Sequence, residues 1–502
     1  MKAFLLYRDR DFEPVPEAAA AVPALVQDLE LGALWAAMAA GDGFVADTVR
    51  PVMLASLTSA DDIAYRQQIL ADAVAQPAVI RRLYDIAVAA VTGERKIFFG
   101  LSNSPESLLY RSVQLLQMFS ERLRELRAVA DTDGDRFQSQ GFRRFFAMIT
   151  EELDDTYLKA VDDQLKELSL ARGTVISAGL GRGNKGTGYV LREQPDQGWR
   201  ERWSRGAKAG FGFTIADSDE AGQQALSDLR SRGLNSVASA LAQAGDHIHA
   251  FFTMLRSEVA FYLGALNLRD ALTAAGEPVC VPEPVPGDEL VLSARGLYDP
   301  SLSLRLAGRA VGNDLAADGK RLVLVTGANQ GGKSTFLRSV GLAQLMMQCG
   351  LFAAAESFTA SITPGLFTHF RREEDASMRQ GKLDEELSRM HDIAGQLTVG
   401  SLLLANESFA ATNEQEGSQI GRQIVRALLD SGVRVIYVTH LYDLARGFYA
   451  DRDGRDLFLR PERHDDGERT FKVRPGEPLS TSYGLDLYGR IFGPDQSQPG
   501  PS

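Results

Sequence analysis

Leu322-Val323-Leu324-Val325-Thr326-Gly327-Ala328-Asn329-Gln330-Gly331-Gly332-Lys333-Ser334-Thr335 decides the fold class of this 502-residue chain. Leu322–Thr326 is apolar enough for a buried strand, and Phe336–Met347 reads as a helix. Between them stands G-x-x-x-x-G-K-[ST], in the strand–loop–helix setting that a phosphate-binding loop requires. The glycines let the backbone curl and aim its N–H groups at phosphates, and the helix start adds its partial positive charge. The pattern assigns nucleotide binding to Gly327, Asn329, Gln330, Gly331, Gly332, Lys333, Ser334 and Thr335. Lys333 is expected to reach the β- and γ-phosphates of ATP, and the Ser334 hydroxyl to ligate Mg²⁺.

Working downstream, Ser401–Ala405 is a second apolar run, ending at Asn406-Glu407. The end of such a strand is where phosphate-loop ATPases place an acidic pair, a Mg²⁺ partner followed by the residue that orients the attacking water. Glu407 suits the second role, because its carboxylate accepts a proton or holds water in line with the γ-phosphate. Asn406 stands in the first position as a neutral amide, able to hydrogen-bond around Mg²⁺ but bringing no charge. Weaker Mg²⁺ binding or slow turnover is expected to follow. A third run, Val433–Val438, delivers Thr439-His440. A histidine at the carboxyl end of an α/β strand lies on the ligand side, where it can sense the γ-phosphate.

These pieces, in this order, resemble the ATPase domain of the MutS family. Thr326–Thr335 is similar to that family's TGPNMGGKST loop, Ser401–Gly417 to its second strand and following loop, Val438-Thr439-His440 to its A-T-H, and Ser482-Tyr483-Gly484 to its SYG segment. The likeness covers roughly 290–495. It implies a dimer with composite ATP sites, and upstream helices that form core, levers and a clamp around DNA. It also implies that Phe370–Met390 carries a mobile loop and helix reaching toward the partner subunit's nucleotide. The chain departs from the pattern at Asn406, where aspartate is usual, and at Ser408–Asn413, which lacks the usual Gly-Arg-Gly. No mismatch-reading segment with a Phe-x-Glu wedge is found, since Phe12-Glu13 has the wrong spacing. The resemblance is thus to a divergent, shortened member. No LSGGQ-like signature of a transporter ATPase is present.

Upstream of the loop, Pro278, Pro282, Pro284 and Pro286 fall within nine residues and mark a linker or a leading strand. Before them the texture is helical. Ala60–Ala75 and Ser104–Val129 carry apolar residues at three- and four-residue spacings, and Asp217–Leu272 holds a continuous apolar stripe from Leu234 to Leu266. Such a stripe fits a lever helix or a long core helix equally. Thr174–Ser177 and Gly188–Leu191 flank a glycine-rich turn and predict a β-hairpin. The expected layout is therefore a mainly helical core and lever region over 1–288, an α/β P-loop NTPase domain of ABC/MutS type over 289–495, and a disordered tail over 496–502.

A net charge of −12 works against binding a polyanion, so any nucleic acid must meet a local basic surface. Arg172–Lys208 is the candidate. It holds eight basic residues against three acidic ones, among them Arg182, Lys185, Arg192, Arg200, Arg202 and Arg205, with Tyr189, Trp199 and Trp203 interleaved. Basic groups for phosphates beside aromatic faces suit a non-specific nucleic-acid contact; a solvated surface hairpin has the same composition. No apolar run approaches the roughly 18–20 residues of a membrane span, and Met1–Tyr7 is too short and too soon charged for a secretory signal. A cytoplasmic location is expected. Cys280 and Cys349 suggest neither a disulfide nor a metal site and read as buried thiols. The expected function is a dimeric, MutS-like, Mg²⁺-dependent ATPase that clamps DNA in repair or recombination. The competing expectation is an ATP-driven switch that binds a protein or ribonucleoprotein partner and no DNA.

Overall fold

The computed structural model of the protein describes residues 1–13, 22–97, 104–170, 173–192, 214–216, 218–327, 331–372, 381–463 and 469–479. They form two compact units, Met1–Phe12 with Ala75–Val259, and Glu13–Val74 with Ala260–Ser502. The helix Glu220–Ala274 contributes residues to both.

The first unit contains the helices Pro77–Ile97, Pro105–Asp133, Gln140–Glu152 and Asp155–Leu168. The second of these begins where Ser104 accepts the Ser107 amide at 3.2 Å, with Pro105 at a first-turn position whose N–H has no helical partner in any case. The core is aromatic. Phe137, Phe142, Phe145 and Phe146 pack with ring centroids 4.5 to 5.8 Å apart, and Phe119 stacks on Phe252. The predicted hairpin is present as β1 (Val175–Leu180) and β2 (Gly186–Arg192), paired antiparallel. A buried carboxylate, Glu258, accepts the Leu5 amide at 2.5 Å and so ties the amino-terminal segment to the helix Glu220–Ala274; burial pushes its pKa up to about 7.

The second unit is built on two sheets. β3 (Glu283–Val285), β4 (Leu292–Leu297), β5 (Asn313–Ala316) and β7 (Ser357–Ser361) form a four-stranded sheet in the order β3-β7-β4-β5. The proline-rich stretch is thus a leading strand in part, with β3 parallel to β7. The larger sheet has the order β12-β11-β6-β10-β9-β8. Its strands are β6 (Leu322–Thr326), β8 (Leu366–Phe370), β9 (Leu402–Asn406), β10 (Arg434–Thr439), β11 (Asp456–Arg463) and β12 (Arg469–Pro475). Every neighbouring pair from β11 to β8 is parallel, and β12 alone runs antiparallel. β6 and β10 are buried along their whole length, which explains why they read as unbroken apolar runs.

Helices Val22–Asp28, Leu31–Ala39, Gly43–Leu54 and most of Ala60–Ala75 belong to this second unit. They weld onto both ends of the helix that follows the phosphate loop, Lys333–Gln348. Near its start, Arg338 meets Asp299 at 2.5 Å and also pairs with Glu30. At its end, Leu57 N–H donates to Gln348 O at 2.8 Å and the fully buried Arg66 donates to Cys349 O at 3.3 Å. Between them the helix lies so close to Leu29 and Leu404 that a Cβ on Gly341 would stand 2.5 Å from Leu404 Cδ1 and 2.8 Å from Leu29 Cδ2. Cys349 is buried, its thiol pushed up to about 12, whereas Cys280 is only half-buried. No described helix is long and apolar enough to cross a membrane.

Candidate nucleotide site

Register places the motif residues at one level. Thr326 pairs with Thr439, Val438 with Asn406, and Asn406 with Phe370. The residues one step beyond these strand ends are Gly327, His440, Glu407 and Arg371. They therefore emerge together at the carboxyl edge of four adjacent parallel strands, where open α/β sheets bind ligands. The chain leaves β6, crosses to β8 at the far edge, and returns through β9 to β10 beside β6. This path brings Glu407 and His440 back beside the phosphate loop that precedes them in the chain.

The phosphate loop ends at Gly332, whose φ of 84° is the left-handed conformation that a side chain resists, and Lys333 opens the helix. The first turn of that helix leaves its N–H groups turned toward the loop. Lys333 is only 4% exposed; its Nζ donates to Gly327 O at 2.6 Å, and burial lowers the pKa of its ammonium. Gly331, Ser334 and Thr335 lie in this loop and first turn as expected; Asn329 and Gln330 lie outside the described residues.

Ser334 donates its hydroxyl to Asn406 Oδ1 at 3.0 Å. Two oxygens that far apart match an edge of the octahedron Mg²⁺ prefers, whose bonds of about 2.1 Å imply neighbours about 3 Å apart. The pair fits the ion in geometry and supplies no formal charge. Among the described residues no cluster of three His, Cys, Asp or Glu gathers that could hold a metal.

Glu407 is held in place by its surroundings. Its backbone φ is 53°, and Phe409, two residues on, has φ 64°, so a left-handed turn brackets Ser408. Such conformations cost about 1 kcal/mol or more apiece and persist only when packing enforces them. Here the enforcement is visible. Ser408 Oγ lies 2.6 Å from His369 Nδ1, Tyr437 OH donates to Ser408 O at 2.5 Å, and His369 Nε2 reaches Glu386 O at 3.0 Å. All four side chains are buried. Burial and the nearby Arg389 and Arg372 push His369 down to about 4, so at neutral pH the ring is neutral and donates through Nε2 to the Glu386 carbonyl, while Ser408 Oγ donates to His369 O at 2.8 Å.

The Glu407 carboxyl sits below the ordinary carboxylate value, chiefly through His440, whose Nδ1 is 3.6 Å from Oε1; burial opposes this, and Lys333 and Arg371 add to it. A carboxylate kept ionised and half-shielded from water is suited to orienting a water molecule.

A further element carries no signal in the motif. Beside Gly332 and Thr335 lies a cavity of about 380 Å³ walled by Leu302, Val311, Phe336 and Phe471. Phe471, on β12, is 46% exposed with φ 57°. Asn313 on β5 clips its segment in place, accepting the Val473 amide at 2.8 Å and donating to Phe471 O at 3.4 Å. The cavity has the size and apolar lining of a site for a nucleobase. Sequence reasoning missed it because its walls come from two helices, the segment before β5 and β12, on both sides of the loop in the chain, and no spacing rule links Val311 to Phe471.

Of the basic candidates, Arg182, Lys185 and Arg192 are exposed on the hairpin, and Arg192 donates to Ser177 at 2.8 Å. Arg200, Arg202 and Arg205, with both tryptophans of that stretch, lie outside the described residues, as does Ser482-Tyr483-Gly484.

Comparison with known proteins finds two family models that match this chain. The model of the MutS2 N-terminal domain matches residues 58–275, and that of MutS domain V matches 323–496. The chain is 27% identical over 272 residues to the DNA mismatch repair protein MutS of Chloroflexus aurantiacus, covering 50% of this chain and 28% of that protein. It is 32% identical over 243 residues to the endonuclease MutS2 of Thermus thermophilus (47% and 30%). With MutS protein homolog 4 of Mus musculus the identity is 24% over 290 residues (55% and 29%). The chain spans less than a third of the length of these relatives.

Proposed function

This chain belongs to the MutS family, and from that premise we propose that it is a Mg²⁺-dependent ATPase whose nucleotide state governs its grip on DNA, acting as a dimeric clamp in repair or recombination. The observation that carries the reading is the convergence of Lys333, Ser334, Asn406, Glu407 and His440 at one edge of the sheet, with Ser334 bonded to Asn406 and Glu407 facing His440. In this reading the loop amides and Lys333 hold the phosphates, and the apolar cavity beside Phe471 takes the base. Ser334 and Asn406 hold Mg²⁺, which when bound neutralises phosphate charge. Glu407 orients water, and His440 meets the γ-phosphate. The neutral Asn406 makes turnover slow. The ATPase region is 289–495, and the helix Glu220–Ala274 is the lever.

DNA contact rests on family membership and on the hairpin with Arg182, Lys185 and Arg192. The net charge of −12 favours the second reading, a nucleotide-driven switch with a protein or ribonucleoprotein partner. Steady-state ATP hydrolysis separates the two. It is measured with and without duplex, mismatched, branched and single-stranded DNA at two salt concentrations. Stimulation by one DNA form that fades with salt supports the clamp; hydrolysis indifferent to every nucleic acid sinks it. Sedimentation with and without ATP tests the dimer.

A further inference from the structure

Three of the four residues that emerge at the carboxyl edge of the sheet have roles assigned from the sequence, and the fourth, Arg371, has none; it lies at the start of Phe370–Met390, for which the resemblance implies contact with a partner subunit's nucleotide. It follows β8 as Glu407 follows β9, and its amide donates to Asn406 O at 2.9 Å, which carries the β8–β9 pairing one residue beyond the strand. Its guanidinium Nη1 lies 3.9 Å from Glu407 Oε2. With 38% of the side chain exposed, an ion pair that loose contributes little to stability.

The neighbouring cations are engaged elsewhere. Arg372 pairs at 3.0 Å with Asp28, whose side chain is 2% exposed, and Arg389 donates to Phe370 O at 3.0 Å. Both contacts fix the backbone on either side of Arg371. The result is a rigidly mounted arginine whose long side chain is only loosely held, on the far side of Glu407 from β6.

Resting on the nucleotide reading above, we propose that Arg371 is a catalytic residue of this chain's own site, an arginine supplied in cis that meets the γ-phosphate on the Glu407 side. In the step it serves, the oxygen of water bonds to Pγ as the bond from Pγ to the β–γ bridging oxygen breaks. The electron pair leaves on ADP, and the proton of water passes to Glu407 and on to solvent. Charge grows on the oxygens around Pγ and on the bridge, and a planar guanidinium donates two N–H groups to such oxygens at once. Lys333 meets the same charge from the loop side. A positive group on the other side of Glu407 compensates in part for the charge missing at Asn406.

The test compares the full chain with R371A and R371K, and with K333A as the control that disables the loop. Fluorescent ADP is titrated with Mg²⁺, with and without aluminium fluoride as a mimic of the transferring phosphoryl group, and turnover is measured in parallel. The proposal expects R371A to bind ADP within about twofold of the parent, to lose the tightening that aluminium fluoride produces, and to lose about 100-fold or more in kcat. R371K, with charge but no fork, falls between. Unchanged kcat and unchanged aluminium fluoride trapping in R371A overturn it. So does a fall in kcat with trapping intact and the acid limb of the pH profile displaced, which would make Arg371 only a counter-ion of Glu407. If the parent binds ADP no better than K333A, the nucleotide reading itself fails and takes this one with it.

Discussion

Ser334 donates its hydroxyl to Asn406 Oδ1 across 3.0 Å, joining the first turn of the phosphate-loop helix to the end of β9. The two residues are 72 positions apart in the chain and become one oxygen pair only through the parallel register of β6, β10 and β9. The pair is neutral, and that neutrality has a measurable consequence.

Asn406→Asp adds a carboxylate charge to the pair without changing its shape. The Mg²⁺ concentration giving half-maximal ATP binding is expected to fall by about tenfold, with turnover rising. Mg²⁺ titrations of nucleotide binding in both proteins check this. If neither quantity moves, Asn406 does not face the ion.

Glu407→Gln keeps the side chain's size and removes the base. Turnover is expected to fall by about 100- to 10,000-fold with ATP still bound. The pH profile follows from the lowered pKa of Glu407, whose first cause is His440. The carboxylate is active above its pKa and lost as pH falls through it. His440→Ala removes that stabilisation, the pKa rises, and the acid limb of kcat moves to higher pH.

Phe471→Ala tests the base cavity. Losing an aromatic face worth about 0.5–1.5 kcal/mol weakens ADP binding by about two- to thirteenfold. Pyrophosphate, which has no base, is expected to bind both proteins alike. Calorimetry with the two ligands separates this from a general loosening of the loop.

Ser408→Ala breaks the contact with His369 while leaving the core filled. Losing a buried hydrogen bond costs about 1–2 kcal/mol, and the left-handed turn at Glu407 and Phe409 loses part of its enforcement. Amide exchange at 407–409 is expected to accelerate, and kcat to fall more than ADP affinity does. Equal exchange rates would mean that Tyr437 alone holds the turn.

Glu258 predicts a pH effect in the other unit. Its folded pKa of about 7 lies above the ordinary 4.5, so between those values the folded state binds more protons than the unfolded one. Its contribution is present below pH 4.5 and is lost as pH rises through 7. Exchange protection of residues 1–12 is expected to decline over that window, and Glu258→Gln, which keeps the oxygen that accepts from Leu5, is expected to flatten the decline.

Much of the nucleotide side was legible from local pattern. The runs at Leu322, Ser401 and Val433 form β6, β9 and β10 within a residue of their expected limits, because strands buried on both faces must be apolar throughout. Ala60–Ala75 is a helix with the expected bounds, and the stripe from Leu234 to Leu266 lies on the helix Glu220–Ala274. The four-stranded sheet was not legible. Its strands are short and one is proline-bearing, so no period could develop. Nor could any pattern show that residues 22–74 pack with the nucleotide unit, since that depends on contacts such as Arg338 with Glu30 and Arg66 with Cys349 O, far apart in the chain.

The sequence by itself determined which chemistry is present. The glycines, Lys333 and Ser334 of the loop, the amide at Asn406, the carboxylate at Glu407 and the imidazole at His440 can each be read from residue type and neighbours. Only the tertiary structure decided what those groups face. The strand order β6-β10-β9-β8 differs from chain order, and a period of apolar residues carries no information about which strand lies beside which. Hence the Ser334–Asn406 bond, the buried His369–Ser408 contact under Glu407 and the placement of Arg371 emerge only when four parallel strands end at one edge, and the cavity beside Phe471 only when β12 meets β5 next to the loop.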